Sequence, residues 1–192
     1  EPHMLFNTLA TLRALIGVDP ARAQVMLDHL VSFMRATLTA SRADHIPLAG
    51  EFALLDDYLS LMAIRMGERL SYRLELPPEL AACRIPPMLL QPLVENAIRH
   101  GLEPLPEGGR LAVSAERGEQ GLRIIIADTG TGFAVPPAPS ADTADAAGSG
   151  FGLNAVRARL RAAYGDRATL AVASPWPPDA LSGCRITLDL PI

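Results

Sequence analysis

Asn96 and Arg99 stand almost one helical turn apart in LLQPLVENAIRHG, residues 89–101, so both can reach one groove from an otherwise apolar helix. An amide oxygen can complete the oxygen shell of Mg²⁺, and a neighbouring guanidinium can contact phosphate. Glu95 and His100 are the other polar members of the segment, and taken alone it could equally be an ordinary helix end with exposed polar groups. A second cluster, DTGTGF at 128–133, follows an apolar run. There Asp128 can accept a hydrogen bond from an adenine amino group, while Gly130 and Gly132 let the backbone turn closely beneath the ring. In a third cluster, GSGFGL at 148–153, Gly148, Gly150 and Gly152 precede a helix, and their amides can cradle phosphate without a lysine. Neither glycine run has the strand-to-helix context of a dinucleotide fold or the Lys and Ser/Thr of a phosphate loop.

These side chains need elements to position them. Residues 3–16 carry Leu5, Leu9, Leu12 and Ile16 at helical spacing, and the helix should stop near Gly17. Asp19 can cap a second helix that Pro20 opens, with Leu27, Leu30, Val31, Met34 and Leu38 as its apolar positions. So short a turn makes the two antiparallel, and such a hairpin has more apolar surface than two helices can hide. A dimeric four-helix bundle is the expectation. After a connection at 41–50, a third helix is predicted over 51–67, with Phe52, Leu55, Leu59 and Met62 at core spacing. A strand over 72–76 ends at Pro77 and Pro78, and a fourth helix after Pro86 and Pro87 runs to Gly101. Strands follow at 111–116 and 122–127, the second apolar enough to read as a covered central strand. Residues 133–148 read as a long mobile loop, followed by a helix at 153–164 and strands at 168–173 and 184–190. The fold class is therefore α+β.

Composition narrows the function. At 49% hydrophobic residues, the 192-residue chain can fill a sizeable core, which argues against wholesale disorder. Cys83 and Cys184 have no metal or redox spacing and read as buried thiols. All 17 basic residues are arginine, the net charge is −4, and no basic block is interleaved with aromatics. Direct nucleic-acid binding is not expected. No apolar run is long enough to span a bilayer, so this fragment is expected to be soluble and cytoplasmic. His29 and His45 join no metal spacing, and Arg65 and Arg69 read as a solvated helix end.

Taken together, VENAIRHG, DTGTGF and GSGFGLNAVRARL resemble the motifs of the ATP-binding domain shared by histidine kinases, gyrase-type ATPases and heat-shock 90 chaperones. The later SGCRITLDLP is similar to that family's final glycine-and-strand segment, with Cys184 where a threonine is common. EPHMLFNTLATL resembles the phosphoacceptor region of LytS-type bacterial sensor kinases, Met4 replacing a phenylalanine. LDDYLSLMAIRMGERL is similar to the middle region of the same kinases.

The resemblance implies an amino-terminal phosphoacceptor and dimerisation hairpin at 1–44 and an α/β-sandwich ATP-binding catalytic domain at 45–192. It implies that His3 is the phosphorylated residue, with Asn7 one turn away as local polar support. Asn96 would be the magnesium-associated asparagine, and Arg99 and His100 phosphate-side contacts. Asp128 would recognise adenine, and Gly130, Gly132, Gly148, Gly150, Phe151, Gly152 and Leu153 would shape the pocket and its lid. The implied cofactors are ATP and Mg²⁺. The implied partners are a second copy of the chain and a response regulator of the LytTR class, which takes the phosphoryl group on an aspartate. The start at Glu1 reads as a cut through a longer helix, and the intact protein is expected to be anchored in the bacterial inner membrane. Pro92 stands where gyrase-type hydrolases place a water-activating glutamate, and a prolyl ring cannot act as a base. A catalytically degraded nucleotide-binding scaffold is the alternative.

Overall fold

In a computed structural model the described residues are 2–132, 151–177 and 182–192. The chain opens with α1 (Pro2–Val18) and α2 (Pro20–Ala40). Between them the Asp19 carboxylate accepts the Arg22 amide at 3.0 Å, and Pro20 takes the first helical position. This cap is worth about 1 kcal/mol, and it sets the reversal that the sequence predicts.

A two-residue strand β1 (Ile46–Pro47) pairs antiparallel with β3 (Arg84–Ile85), and α3 (Leu48–Met66) follows β1 directly. The third helix thus starts three residues before the predicted position, because the small β1/β3 pairing ties down its entry. α3 is packed by α2 on one side and by the sheet and α4 on another, so Leu48, Leu54, Leu55, Leu59, Leu61 and Met62 are all buried. A helix with two covered faces needs a wider apolar surface than one stripe.

The main sheet has the order β2-β4-β5-β7-β6, made from β2 (Leu70–Glu75), β4 (Gly109–Gly118), β5 (Gly121–Asp128), β7 (Cys184–Pro191) and β6 (Thr169–Ala173). Only the β2/β4 pair is parallel. Val113 lies opposite Ile126, and Ile126 opposite Ile186, so one face carries a continuous apolar layer against α3, α4 (Gln91–Asn96) and α5 (Phe151–Tyr164). β5 departs from the expectation of a strand covered on both faces. Leu122, Ile124 and Ile126 are buried, whereas Arg123, Ile125 and Ala127 on the other face stay partly open. The reason is that the described helices form one layer, leaving the far face of the central strand to short side chains and to the Arg123–Asp189 ion pair at 2.7 Å.

The hairpin distributes its apolar residues differently from the predicted stripes. Met26, Leu30 and Phe33 of α2 are buried toward the core, while Leu27, Val31, Met34 and Leu38 form a second, exposed stripe. On α1, Phe6 and Ile16 are 70% and 61% exposed. A stripe of this length on adjacent helices is apolar surface that no element covers among the described residues. Among the described residues, no helix is long and apolar enough to cross a membrane.

Candidate functional site

The helix bearing Asn96 is short and changes pitch. α4 ends at Asn96 and continues as a π turn, Ala97–Leu102, closed by the Glu103 amide on the Ile98 carbonyl at 2.8 Å. The predicted regular helix up to Gly101 is thus corrected to an α segment with a wide last turn. The extra residue per turn rotates the side chains beyond Asn96 relative to those before it, and such insertions are frequent at functional sites.

That wide turn meets the first glycine loop. The Thr131 amide donates to the Gly101 carbonyl at 3.0 Å, and the Thr131 hydroxyl donates to the His100 carbonyl at 2.9 Å. Gly130 lies so close to Gly101 that a β-carbon on it would stand 2.4 Å from the Gly101 carbonyl carbon. No side chain fits there, which gives this glycine a steric reason. The Gly183 amide donates to the Gly130 carbonyl at 2.8 Å, joining the SGCR segment to the same loop.

Asp128 sits at the end of β5 in the hollow these backbones create. It is 7% exposed, and its Oδ1 accepts the Gly130 amide at 2.9 Å. Burial pushes its pKa up to about 6, against the opposing pull of the Gly130 N–H. A carboxylate so held can accept a further hydrogen bond from an exocyclic amine. Its strand neighbour Cys184 is buried, and burial first and the Asp128 charge second push that thiol up to about 12. The thiol is therefore an inert wall rather than a nucleophile.

This predicts a pH signature. From the ordinary value of 3.8 up to about 6, the native state binds the Asp128 proton more strongly than the unfolded chain does. Stability therefore falls as pH rises through that window and levels off above it, by about 3 kcal/mol in all. Asp128→Asn should remove that slope. Urea midpoints of the two proteins between pH 4 and 7 should diverge with rising pH in favour of Asn; a pH-independent difference would show that Asp128 titrates normally.

Asn96 points at the start of α5. A β-carbon on Gly152 would stand 2.3 Å from Asn96 Nδ2, and Nδ2 is buried without a hydrogen-bond partner among the described residues. A buried amide without a partner beside a glycine backbone fits a side chain whose polar partner is a ligand. An asparagine oxygen at that place suits Mg²⁺, which takes few protein ligands and keeps phosphate and water oxygens. Leu153 is buried behind it.

Arg99 faces elsewhere. With Glu95 it lines a small cleft of about 60 Å³ against α1, where Met4 and Asn7 form the other wall. Gln91 Nε2 donates to Glu95 Oε1 at 2.7 Å, orienting that carboxylate. His3 occupies the first turn of α1, one turn before Asn7, and Phe151 opens α5. Gly132 adopts φ +83° beside Ser174 and Gly183. Gly148 and Gly150, like the loop predicted at 133–148, lie outside the described residues.

One reading of polar residues is corrected. Arg65 pairs with Glu103, and Arg69 Nη2 donates to the carbonyls of Glu103 and Leu105 at 2.9 and 2.6 Å, so this helix end braces the segment after the π turn instead of being solvated. His29 bridges α2 to α3 through Asp57 at 3.1 Å, and Ser32 donates to the same carboxylate at 2.6 Å. Sequence reasoning also missed Glu51, which is wholly buried. Its signal was available: it is an acid inside the apolar stripe formed by Leu48, Leu55, Leu59 and Met62.

With this geometry in place, comparison with known proteins gives consistent matches. Residues 87–192 match the family described as histidine kinase-, DNA gyrase B-, and HSP90-like ATPase, and residues 1–70 match the family described as histidine kinase. Sensor histidine kinase BtsS of Escherichia coli K12 is 37% identical over 191 residues, covering 100% of this chain and 32% of the relative. Sensor protein LytS of Oceanobacillus iheyensis is 35% identical over 133 residues, covering 69% of this chain and 23% of the relative. The chain thus spans about a third or less of these curated relatives. The histidine kinase domain of the Erythrobacter litoralis EL346 blue-light activated histidine kinase superposes with a TM-score of 0.51 at 14% identity, covering 100% of this chain and 96% of that one. That likeness is one of fold.

Proposed function

The chain belongs to the histidine kinase-, DNA gyrase B-, and HSP90-like ATPase family, with a histidine kinase segment ahead of that domain, and from this premise we propose that it is the transmitter of a LytS-type sensor kinase. ATP phosphorylates His3, and the phosphoryl group passes to an aspartate of a response regulator. The observation that carries this reading is the built cradle around Asp128, with Gly130 and Gly101 in backbone contact and Asn96 set against Gly152. Asp128 would orient adenine, and Asn96 would contribute its oxygen to Mg²⁺, which shields the triphosphate charge when bound.

In the reaction a neutral imidazole nitrogen of His3 attacks the γ-phosphorus, the bond to the ADP oxygen breaks with its electron pair leaving on ADP, and the ring N–H proton is released. Asn7 would support the ring from one turn away. His100 would meet phosphate charge, whereas Arg99, turned into the cleft against α1, would not, and the glycines at 130, 132, 148, 150 and 152, with Phe151 and Leu153, would shape the pocket. Pro92 in place of a water-activating glutamate favours a histidine acceptor over hydrolysis.

In this reading residues 1–44 are the phosphoacceptor and dimerisation part and 45–192 the catalytic part. The exposed stripe Leu27, Val31, Met34 and Leu38 supports a homodimer, a regulator of the LytTR class is the acceptor, and segments outside this chain anchor the intact protein in the inner membrane. The defining experiment is transfer of label from the phosphorylated kinase to a regulator, lost when the regulator's acceptor aspartate is replaced by asparagine. The dimer is tested separately by Val31→Glu with Leu38→Glu. Placing two charges in an apolar seam should raise the dimer dissociation constant by roughly 100-fold or more in sedimentation equilibrium. An unchanged constant would reject this face as the dimer contact.

A further inference from the structure

The turn at 87–90 leads into α4, and within it Met88 holds a left-handed backbone at φ 55°. A residue with a side chain persists in that region only where its surroundings over-determine it. Here the polar groups of the turn are taken by two long polar side chains from two other helices. Glu51 of α3 accepts the Met88 amide on Oε2 at 2.9 Å and the Leu90 amide on Oε1 at 2.8 Å. Arg159 of α5 donates from a single nitrogen, Nη1, to the carbonyls of Pro87 and Met88 at 2.8 and 2.9 Å. The two from Arg159 are charge-assisted, the stronger class of hydrogen bond. Burial pushes the Glu51 carboxyl above its ordinary range, against the opposing pull of the amides it accepts.

What the turn controls follows from its last residue. The Leu90 carbonyl accepts the Leu93 and Val94 amides at 3.0 and 3.1 Å, so it is the first rung of α4. α4 has only six residues before the π turn, too few to hold itself as a helix. α5 meets it at both ends: Arg159 grips the turn at its start, and Gly152 abuts Asn96 at its finish. Glu51 ties that same start to α3. Arg159 is exposed, so its contribution lies in these two bonds rather than in buried area.

We propose that Glu51 and Arg159 are positioning residues for Asn96, holding the turn at 87–90 between α3 and α5 so that α4 presents the Asn96 amide to the first turn of α5. What Asn96 then does rests on the nucleotide reading above; how it is held does not.

The test uses the full-length protein with Arg159→Ala and Arg159→Lys. A lysine has one nitrogen able to bridge both carbonyls, so it should rescue. In nucleotide-free protein, hydrogen exchange of the amides at 88–96 should rise about tenfold or more in the Ala variant and return to within about threefold of the starting protein in the Lys variant. Affinity for Mg·ATP should fall about tenfold in the Ala variant, while that for adenosine, which does not need Asn96, stays within about twofold. Glu51→Gln, which turns an NH₂ toward one of the two amides and leaves only one oxygen to accept, should also raise exchange in the same segment.

Unchanged exchange at 88–96 in Arg159→Ala would overturn the clamp. Equal losses of adenosine and Mg·ATP affinity would overturn the positioning of Asn96, because the whole site would then be loosened. If the unsubstituted protein bound no adenine nucleotide, the nucleotide reading would fall, and the exchange data would still decide the clamp.

Discussion

In the full-length protein, γ-labelled ATP should place its phosphoryl group on His3, and His3→Gln should lower the label by at least about 1,000-fold while leaving nucleotide affinity within about twofold. The two effects separate because His3 lies in the first turn of α1, whereas the Asp128 cradle is built from β5, the π turn and the glycine loop. Glutamine keeps polarity and length without a nucleophilic ring nitrogen, so the loss reports chemistry rather than packing. The label should be labile in acid and stable in base, as expected of a phosphoramidate and opposite to a phosphoserine. Residue-resolved mass spectrometry of the labelled protein is the measurement. Firm Mg·ATP binding with no modification of His3 in activated full-length dimers would reject the kinase reading and leave a nucleotide-regulated scaffold.

The second large effect concerns the nucleotide itself. Asp128→Ala should weaken adenosine, ADP and ATP alike by roughly 10- to 100-fold, the span expected when a hydrogen bond to a charged acceptor is lost. Asn96→Ala should instead leave adenosine nearly unchanged and remove most of the magnesium-dependent gain for ATP, because its amide stands at Gly152 and not at the Asp128 hollow. Calorimetry over the three ligands, with and without Mg²⁺, resolves the two patterns. The Asp128 contribution should fade as pH drops through about 6, where its carboxylate takes a proton and ceases to be a full acceptor. Identical losses for every ligand in both variants would mean that the division of labour between adenine and metal ends is wrong.

The candidate site was legible in the sequence where its information is local. Asp128, Gly130 and the Asn96 segment stand in short runs whose residue types already limit what they can do. Gly130 illustrates the limit of that reading. A glycine-rich turn can be seen in DTGTGF, but its necessity comes from the Gly101 backbone arriving from nearly thirty residues away. Arg99 shows the same limit from the other side, since spacing on a regular helix groups it with Asn96 until the π turn rotates it toward α1.

What the sequence by itself determined is therefore the set of elements: the Asp19–Pro20 reversal, the helical periods of α1 to α3, the strands at β4, β5 and β7, and the polar runs between them. Each depends on φ/ψ preference, capping and periodicity within a few residues. Tertiary structure alone decided which faces were covered. It left β5 packed on one side because the described helices form a single layer, and it split α2 into a buried face against α3 and an exposed one. It also placed Glu51 and Arg159 on the same turn from helices more than a hundred residues apart in the chain. Burial and hydrogen-bond satisfaction are properties of groups brought together by folding, and no periodicity within one segment encodes which distant amide a buried carboxylate will meet.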